Sequence, residues 1–297
     1  MSVNLQNHFV QQYGTNISLL LQQPGGKLRD KVSIGSYVGE SASPVDQFGA
    51  VSSSEVTTRF APMPRTDVDT YRRWIDPTSY HLNQMIDSFD RLRMITDPSS
   101  VYVQNAVNDY NRKVDEKIIN AFFATAKTGK TGTGTTIFTA ANEIDVLVGG
   151  NNSRLNIAKL KAMRELMMSQ HVDFEMEEVY VGITAKDYSS LMNDPQFVHS
   201  DYNGGRDTLA SGRLPQYLGF NLVQSELFET LLAGTNEVTL PVWCKSGMHL
   251  GMWSEMQNSV STRNDIVGEP WQLYTKFTIG ATRIEENKVY SIESYRP

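Results

Sequence analysis

Cysteine is almost absent from this sequence of 297 residues, in which Cys244 is the single example. One cysteine excludes an internal disulfide and a four-cysteine metal site, as expected of a protein that matures in a reducing cytoplasm. No hydrophobic run approaches the roughly 18 residues that span a membrane, and no cation precedes Lys27. The sequence therefore predicts neither a signal peptide nor a transmembrane helix, and no membrane partner.

An excess of positive charge is also missing. The chain has 27 Lys+Arg against 33 Asp+Glu, a formal net charge of -6. A protein that wraps nucleic acid or coats an anionic membrane needs a dominant cationic face, so the composition argues against both functions. With 40% hydrophobic and 10% aromatic residues, the chain can bury a core in one elaborate domain or two smaller ones.

The residue patterns of catalytic and metal sites are missing too. The five histidines are scattered, and none lies three or four residues from another. Cys244 lies in an apolar strand pattern, which predicts a buried thiol. Four carboxylates lie where a strand is predicted to begin, and carboxylates in such positions are usually solvated. They are Asp173, Glu175, Glu177 and Glu178. We predict no catalytic residue, no metal and no cofactor.

One segment fits the loosest phosphate-loop pattern, Ala124 to Thr131, with alanine in place of the first glycine. Nucleotide binding needs this loop between a strand and a helix whose N-terminus faces the phosphates. Here a long helical pattern precedes the loop and Thr-Gly-Thr-Thr-Ile-Phe follows it. A plain Gly/Thr loop is the better interpretation, and a soluble α/β nucleotide-binding enzyme is the alternative from a different class.

The first part of the chain predicts two elements that cannot bury themselves. An uncharged segment with apolar residues at helical spacing predicts an arm that docks on protein, and it carries Leu5, Phe9, Tyr13, Ile17 and Leu20. Residues 32–75 look extended and predict a long hairpin with its tip at 41–46. The hairpin has too few large apolar residues to be stable alone.

The rest of the chain predicts an α+β fold. After Asp97-Pro98, apolar residues recur every three or four positions as far as Ala126, which predicts one helix of about 43 Å. Helices are then predicted over 157–170 and 185–192. Strands are predicted over 178–183, 219–223, 238–243 and 249–253, with a long half-buried strand over 271–281.

A set of cations near the hairpin is balanced by carboxylates. Arginines alternate with Glu55, Asp67, Asp69 and Asp76, and they are Arg59, Arg65, Arg72 and Arg73. Because a nucleic-acid face would be less balanced, we predict ion pairs between subunits, with a solvated face as the alternative. Trp74 beside them predicts contact with a partner surface.

In this order, the arm, the hairpin, the long helix, the mixed region and the final strand resemble the major capsid proteins of tailed bacteriophages, which have the Hong Kong 97-type fold. The local pieces that carry the resemblance are Arg72-Arg73-Trp74, Asp97-Pro98-Ser-Ser-Val-Tyr, Gly219-Phe-Asn-Leu-Val223, and the ending from Arg263-Asn-Asp265 through Ile279-Gly-Ala-Thr-Arg283 to Val289-Tyr-Ser-Ile292. None of these is a catalytic signature, so the specificity lies in their order.

The resemblance implies a domain division. It implies an N-terminal arm over 1–30, an E-loop over 31–75, a peripheral domain over 76–140 with its spine helix at 98–127, an axial domain over 141–255, and return strands over 256–297. It also implies a non-enzymatic shell protein that forms hexamers and pentamers with itself, is assembled in the host cytoplasm and resides in the virion.

Further partners follow from the same resemblance: a separate scaffolding protein, a portal, decoration proteins, and packaged double-stranded DNA contacted without sequence specificity. Some members of the family join an E-loop lysine to a neighbour's asparagine. No lysine lies between Lys31 and Lys113, so we predict a shell without such crosslinks. An encapsulin-like bacterial nanocompartment is the related alternative.

Overall fold

The computed structural model describes residues 25–42, 46–55, 58–59, 65–86, 99–148, 151–194 and 216–296. Its helices are α1 (Ser99–Phe123), α2 (Ile157–Ser169), α3 (Ala185–Met192) and α4 (Leu227–Leu231). Its strands, in chain order, are β1 (Ser33–Ser36), β2 (Asp46–Phe48), β3 (Thr70–Trp74), β4 (Thr78–Ile86), β5 (Ala126–Thr128), β6 (Gly134–Thr136), β7 (Glu143–Ile144), β8 (Leu147–Val148), β9 (Asn151–Asn152), β10 (Val179–Ile183), β11 (Gln216–Tyr217), β12 (Phe220–Gln224), β13 (Glu237–Cys244), β14 (Met248–Thr262), β15 (Trp271–Arg283) and β16 (Val289–Tyr295).

The long helix α1 packs on a four-stranded sheet of order β1-β14-β15-β4. Val114, Ile118 and Phe122 lie one or two turns apart on the buried side of α1, and they pack in one cluster with Phe277 and Ile279 of β15. The alternation of apolar and polar residues along β15 places apolar side chains towards the helix, and Lys276 on the other face is exposed. The helix and the long strand were both predicted from these periods.

A second sheet has six strands in the order β11-β12-β10-β13-β16-β7. All five residues of β10 are buried, and β13 and β16 are buried over nearly their whole length. The helix α2 covers this sheet through Leu160 and Met163, which belong to a second core cluster. Strands that are buried on both faces often have continuous apolar sequences, which explains why β10 and β13 were predicted. Strand β16 was not predicted from its own residues, because it buries Ser291, Glu293 and Ser294.

The hairpin lies partly where the sequence predicted it. Asp46 pairs with Arg72 and Phe48 pairs with Thr70, and an isolated bridge joins Ala42 to Ile75. The expected tip at 41–46 is therefore wrong, because Ala42 and Asp46 are already paired and the backbone N–H of Gly49 still donates to Asp69, so the turn falls beyond Gly49. Below, "the hairpin" means residues 42–75.

The position of strand β1 also differs from the prediction, which placed it in the hairpin. It does not pair with the hairpin but runs parallel to β14, with Ser33 opposite His249 and Ser36 opposite Met252. The side chain of His249 reinforces the pairing, since its Nδ1 lies 2.8 Å from Ser33 Oγ and its Nε2 lies 2.8 Å from Tyr37 Oη. Residues 33–36 therefore belong to the sheet under α1.

The helix α1 ends at Phe123, short of the predicted end near residue 127. The reason is Arg283, which is fully buried and donates from Nη1 to the carbonyl oxygens of Phe122 at 2.6 Å and Ala124 at 3.1 Å. A cation at this point satisfies carbonyls that the last helical turn leaves free and opposes the helix dipole. The chain then leaves the helix and enters β5.

Candidate subunit interface

The hairpin exposes apolar side chains that its own chain does not cover. Phe48 is 73% exposed and Tyr71 is 58% exposed, and Val51 and Val68 are exposed nearby. Monomeric proteins rarely leave large apolar residues grouped in this way, and such groups mark contact surfaces. In the described residues, the hairpin thus contributes little to the core and presents a group of exposed apolar side chains.

The base of the hairpin is fixed by a group of buried charges. Arg73 is only 7% exposed, donates from Nε to the carbonyl oxygen of Ile284 at 2.7 Å, and lies 3.0 Å from Glu286. Arg283 donates from Nε to the other oxygen of Glu286 at 2.6 Å. Burial lowers the pKa of Arg73, the charge of Glu286 opposes this change, and Arg283 adds to it.

The structure therefore corrects the prediction that Arg73 forms an ion pair between subunits. Its ion pair lies within the chain, because β3 and the segment after β15 bring Arg73 and Glu286 together although they are far apart in sequence. No signal in the sequence singled out Glu286 or Arg283, since charged residues are most often solvated.

Arg72 and Trp74 flank Arg73 and hold the hairpin against the Gly/Thr loop. Arg72 contacts Asp46 through two hydrogen bonds of 2.6 and 2.9 Å, and its guanidinium lies 6.0 Å from the ring centre of Trp74. The indole nitrogen of Trp74 donates to the carbonyl oxygen of Gly129 at 2.7 Å. The loop that resembles a phosphate loop is thus the turn of the β5–β6 hairpin, and a strand follows it where nucleotide binding needs a helix.

The remaining predicted interface residues divide into two groups. Arg59 and Arg65 are exposed, and Arg65 contacts Asp67, two residues away, at 2.8 Å. An exposed pair of this kind adds little stability to a single chain. Phe9 and Tyr13 lie outside the described residues.

Asp115, a buried residue of α1 that was not predicted from the sequence, fixes residues 27 and 28 on the helix. Its carboxylate accepts from the backbone N–H groups of Lys27 and Leu28, each at 3.1 Å. Gly25 has a φ of 69°, and a Cβ on it would lie 2.5 Å from the backbone nitrogen of Arg112. Successive N–H groups around one anion form a nest, so the chain at 25–28 is fixed on the middle of the spine helix.

Burial raises the pKa of Asp115, and the backbone N–H groups oppose that rise by stabilising the carboxylate. The carboxylate is buried but not isolated.

The far end of the α1 sheet exposes a second apolar group. Val267 is 98% exposed at the turn between β14 and β15, and the neighbouring apolar residues are Met85, Val260, Ile266 and Trp271. Arg263 and Asp265 form a bidentate pair across this turn, at 2.7 and 2.6 Å. The turn is internally fixed but its apolar tip is uncovered.

The sequence predicted solvated carboxylates before β10, but part of this acidic group is paired. Glu177 accepts from Ser246 at 2.7 Å and from Lys288 at 2.9 Å. Partial burial raises its pKa, but these hydrogen bonds outweigh that effect and leave it lowered. Cys244 is buried as predicted, and burial raises its pKa to about 12, which makes it an inert thiol at neutral pH.

The end of the chain is tied into the second sheet by a buried ion pair. Arg296 donates to Asp187 at 2.7 Å and pairs with Glu229 at 2.9 Å. Asp187 also accepts from Thr184 at 2.7 Å. In the described parts of the chain, no three His, Cys, Asp or Glu side chains are grouped as metal ligands. Nor is any described helix long and apolar enough to cross a membrane.

The family of the chain follows from its sequence over nearly its full length. Residues 5–295 match the phage capsid protein family. The chain belongs to this family. It is a structural protein of the virion shell and assembles with copies of itself. The sequence has no match among curated proteins.

Solved capsid structures share the fold. The capsid of cyanophage P-SCSP1u superposes with a TM-score of 0.73 at 13% identity, covering 100% of this chain and 96% of that chain. The cyanophage Pam1 capsid gives 0.76 at 11% identity, covering 97% of each chain. The capsid of Helicobacter pylori bacteriophage KHP30 gives 0.71 at 10% identity, covering 99% of this chain and 98% of that one.

These likenesses place the chain in the Hong Kong 97-type fold, as its sequence predicted. Within that fold and family, it is a major capsid protein of a tailed phage.

Proposed function

We propose that the hairpin, the arm and the distal turn of this major capsid protein bind neighbouring copies in hexamers and pentamers that enclose double-stranded DNA. The observation that carries this proposal is the exposure of Phe48 and Tyr71 on a hairpin that has no core of its own. In a closed symmetric shell, one subunit's uncovered surface is buried by the next.

Within this proposal, most of the predicted interface residues keep a contact role between subunits: Phe9, Tyr13, Arg59, Arg65, Arg72 and Trp74. Arg73 acts instead inside the subunit, where it fixes the base of the hairpin. The domain division is proposed as predicted, except that the E-loop begins near Ala42 because β1 belongs to the α1 sheet.

We propose that the shell is not covalently crosslinked and that the chain has no enzymatic activity. Forming an isopeptide bond needs a neutral amine near the hairpin tip. Residues 32–112 contain arginines and histidine but no lysine. A guanidinium stays protonated and is a poor nucleophile. Particles boiled in SDS with reductant should give one band at 33.4 kDa. A ladder of covalent multimers would contradict the proposal.

The proposed partners are a scaffolding protein, a portal, decoration proteins and the packaged DNA. The net charge of -6 supports weak, non-specific contact with DNA, because a cationic wall would retain phosphates. Empty shells incubated with DNA at low salt should release it on washing. Purified particles that hold an enzyme in place of DNA would favour the nanocompartment alternative.

The direct experiment is negative-stain microscopy of the expressed full chain, alone and with candidate scaffolding proteins. We expect rings or closed shells. The absence of any assembly in every combination would contradict the proposal.

A further inference from the structure

Glu293 is a buried carboxylate in strand β16. It is 7% exposed, and it lies opposite Thr239 of β13, whose hydroxyl donates to the carboxylate at 3.2 Å. Buried carboxylates are usually paired with a cation, because an isolated charge inside a protein is costly. One hydrogen bond from a neutral hydroxyl compensates only a small part of that cost.

The cation beside β16 serves the backbone of Glu293 and not its carboxylate. Lys159 of α2 is fully buried, and its Nζ donates to the carbonyl oxygens of Ser153 at 2.7 Å and Glu293 at 2.6 Å. Strand pairing with Thr239 holds the same residue from β13. The backbone of residue 293 is therefore fixed from two sides, whatever the charge on its side chain.

The neighbouring edge strand adds negative charge to the same face of the sheet. Glu143 of β7 lies directly opposite Ser291 in a parallel pair, and Ser291 is two residues from Glu293. Residues two apart in a strand share a face, so all three side chains lie on one face of the sheet. The buried Oγ of Ser291 has no hydrogen-bond partner among the described residues, so it stabilises neither carboxylate.

The charges around Glu293 act mainly against its ionisation. The charged groups that act on it are Glu143 from β7, Glu237 from β13 and Lys159 from α2. Burial raises the pKa of Glu293 to about 7, and the two carboxylates add to this rise, while Lys159 and the hydroxyl of Thr239 oppose it.

Strand β7 is the element that can move. It is the edge of the six-stranded sheet and pairs with β16 through two residues, whereas β13 pairs with β16 through seven. Displacement of β7 admits water to the carboxylate of Glu293, and hydration favours the charged form. Opening of the strand and ionisation of the carboxyl are therefore linked, and each promotes the other.

We infer that Glu293 is a proton-controlled latch for strand β7, which stays closed on β16 while this carboxyl is neutral and opens when it is ionised. Repulsion from Glu143 acts in the same direction. The inference goes beyond the proposed function, because it concerns a movement within one subunit and does not depend on assembly.

The direction of the pH effect follows from the raised pKa of Glu293. The stability that the neutral carboxyl contributes is fully present below its ordinary pKa of 4.5 and is lost as the pH rises through about 7. Opening of β7 should therefore be about 20-fold more favourable at pH 7.5 than at pH 5.5. Lys159 stays mostly charged in this range, because burial lowers its pKa only to about 8.

Hydrogen–deuterium exchange of the purified full chain tests the inference. Exchange of a peptide over residues 140–146 is measured at pH 5.5 and 7.5 and corrected for the intrinsic pH dependence of amide exchange. We expect the corrected rate to rise about 20-fold in the parent and less than about threefold in Glu293→Gln. Glu165→Gln, which changes an exposed carboxylate of α2, is the matched control and should keep the parent's pH dependence.

Two results of this experiment would overturn the inference. One is an equal pH dependence in the parent and in Glu293→Gln. The other is exchange of β10 together with β7, because β10 lies inside the same sheet and its amides should stay protected when only the edge opens. Neither result bears on whether the chain forms a shell, so this test and the proposed function fail independently.

A second variant covers the case in which Glu293→Gln does not fold. Glu143→Gln keeps the buried carboxyl and removes the charge opposite Ser291. The corrected rate should then rise about tenfold between the two pH values, less than in the parent, because burial still acts on Glu293 but the repulsion is gone. A rise as large as the parent's would contradict the role of Glu143 in the latch.

Discussion

The six-stranded sheet and the hairpin are both made of extended chain, yet one is complete in a single subunit and the other is not. Strand β10 buries all five of its residues between α2 on one side and Trp243 with Phe228 on the other. Strands β2 and β3 bury only Arg73. The difference separates residues that are buried within one subunit from residues that we propose are buried only on assembly.

Buried charges fix the hairpin beside the turn that precedes β16. Glu286 lies between Arg73 at the base of the hairpin and Arg283 at the end of the spine helix. A group of this kind holds an element at a defined angle without burying it, because the direction of each hydrogen bond is fixed. The subunit can thus present an uncovered hairpin in one orientation.

The largest expected effect is on the free energy of unfolding, and it comes from a change at Trp243 in the core. This residue is fully buried, stacks near Phe122 and Tyr180, and donates to the carbonyl oxygen of Lys31 at 2.9 Å. Trp243→Ala should lower the free energy of unfolding by about 3–5 kcal/mol in urea denaturation.

Phe48→Ala is the matched control for Trp243→Ala, because Phe48 is an exposed aromatic residue of the hairpin. It should leave unfolding of the subunit within about 0.5 kcal/mol of the parent. A loss of stability as large as that of Trp243→Ala would show that the hairpin belongs to the core.

The next largest effect is expected from a change in the spine helix. Val114→Pro removes a backbone hydrogen bond in the middle of α1 and should cost at least about 3 kcal/mol of folding stability and prevent shells from forming. The measurement is circular dichroism during thermal unfolding, with microscopy of the product. Asn120→Ala, at an exposed position of the same helix, should assemble normally.

A smaller effect is expected where residues 25–28 contact the spine helix. Asp115→Asn removes the charge that holds the N–H groups of Lys27 and Leu28, and it should cost about 1–3 kcal/mol. Trypsin should then cut after Lys27 faster in the unassembled subunit. Glu116→Gln is the control on the next residue, and an equal cleavage rate in both variants would contradict the role of Asp115.

The smallest expected effect is a pH dependence at His249. Burial lowers its pKa, so the unfolded chain binds more protons than the folded chain below about pH 6.5. The stability contributed by neutral His249 is therefore present above that pH and is lost as the pH falls. Unfolding free energies at pH 7.5 and 5.5 should differ more in the parent than in His249→Gln. An equal difference in both proteins would contradict this assignment.

The sequence predicted elements whose pattern is local, and it missed those defined by distant partners. The spine helix and β15 follow from periods of 3.6 and 2 within a single window. Strand β4 carries the same alternation, with Tyr80 and Leu82 facing one side and His81 and Asn83 facing the other, so this strand also follows a local pattern.

The interface residues were harder to predict for a physical reason. The role of Arg73 depends on Glu286, which lies more than two hundred residues further along the chain, and the pairing of β1 depends on β14. A run of arginines among carboxylates does not reveal which side chain is buried. The exposed hairpin itself could be predicted, because it has too few apolar residues to form a core.

Sedimentation velocity on the parent chain and on the double variant Phe48→Ser with Tyr71→Ser tests the central claim most directly. We predict that the parent sediments as capsomers or shells, whereas the variant sediments as a folded 33.4 kDa subunit with the parent's unfolding free energy. A parent that stays a compact 33.4 kDa monomer at all concentrations, or a double variant that assembles as well as the parent, would contradict it.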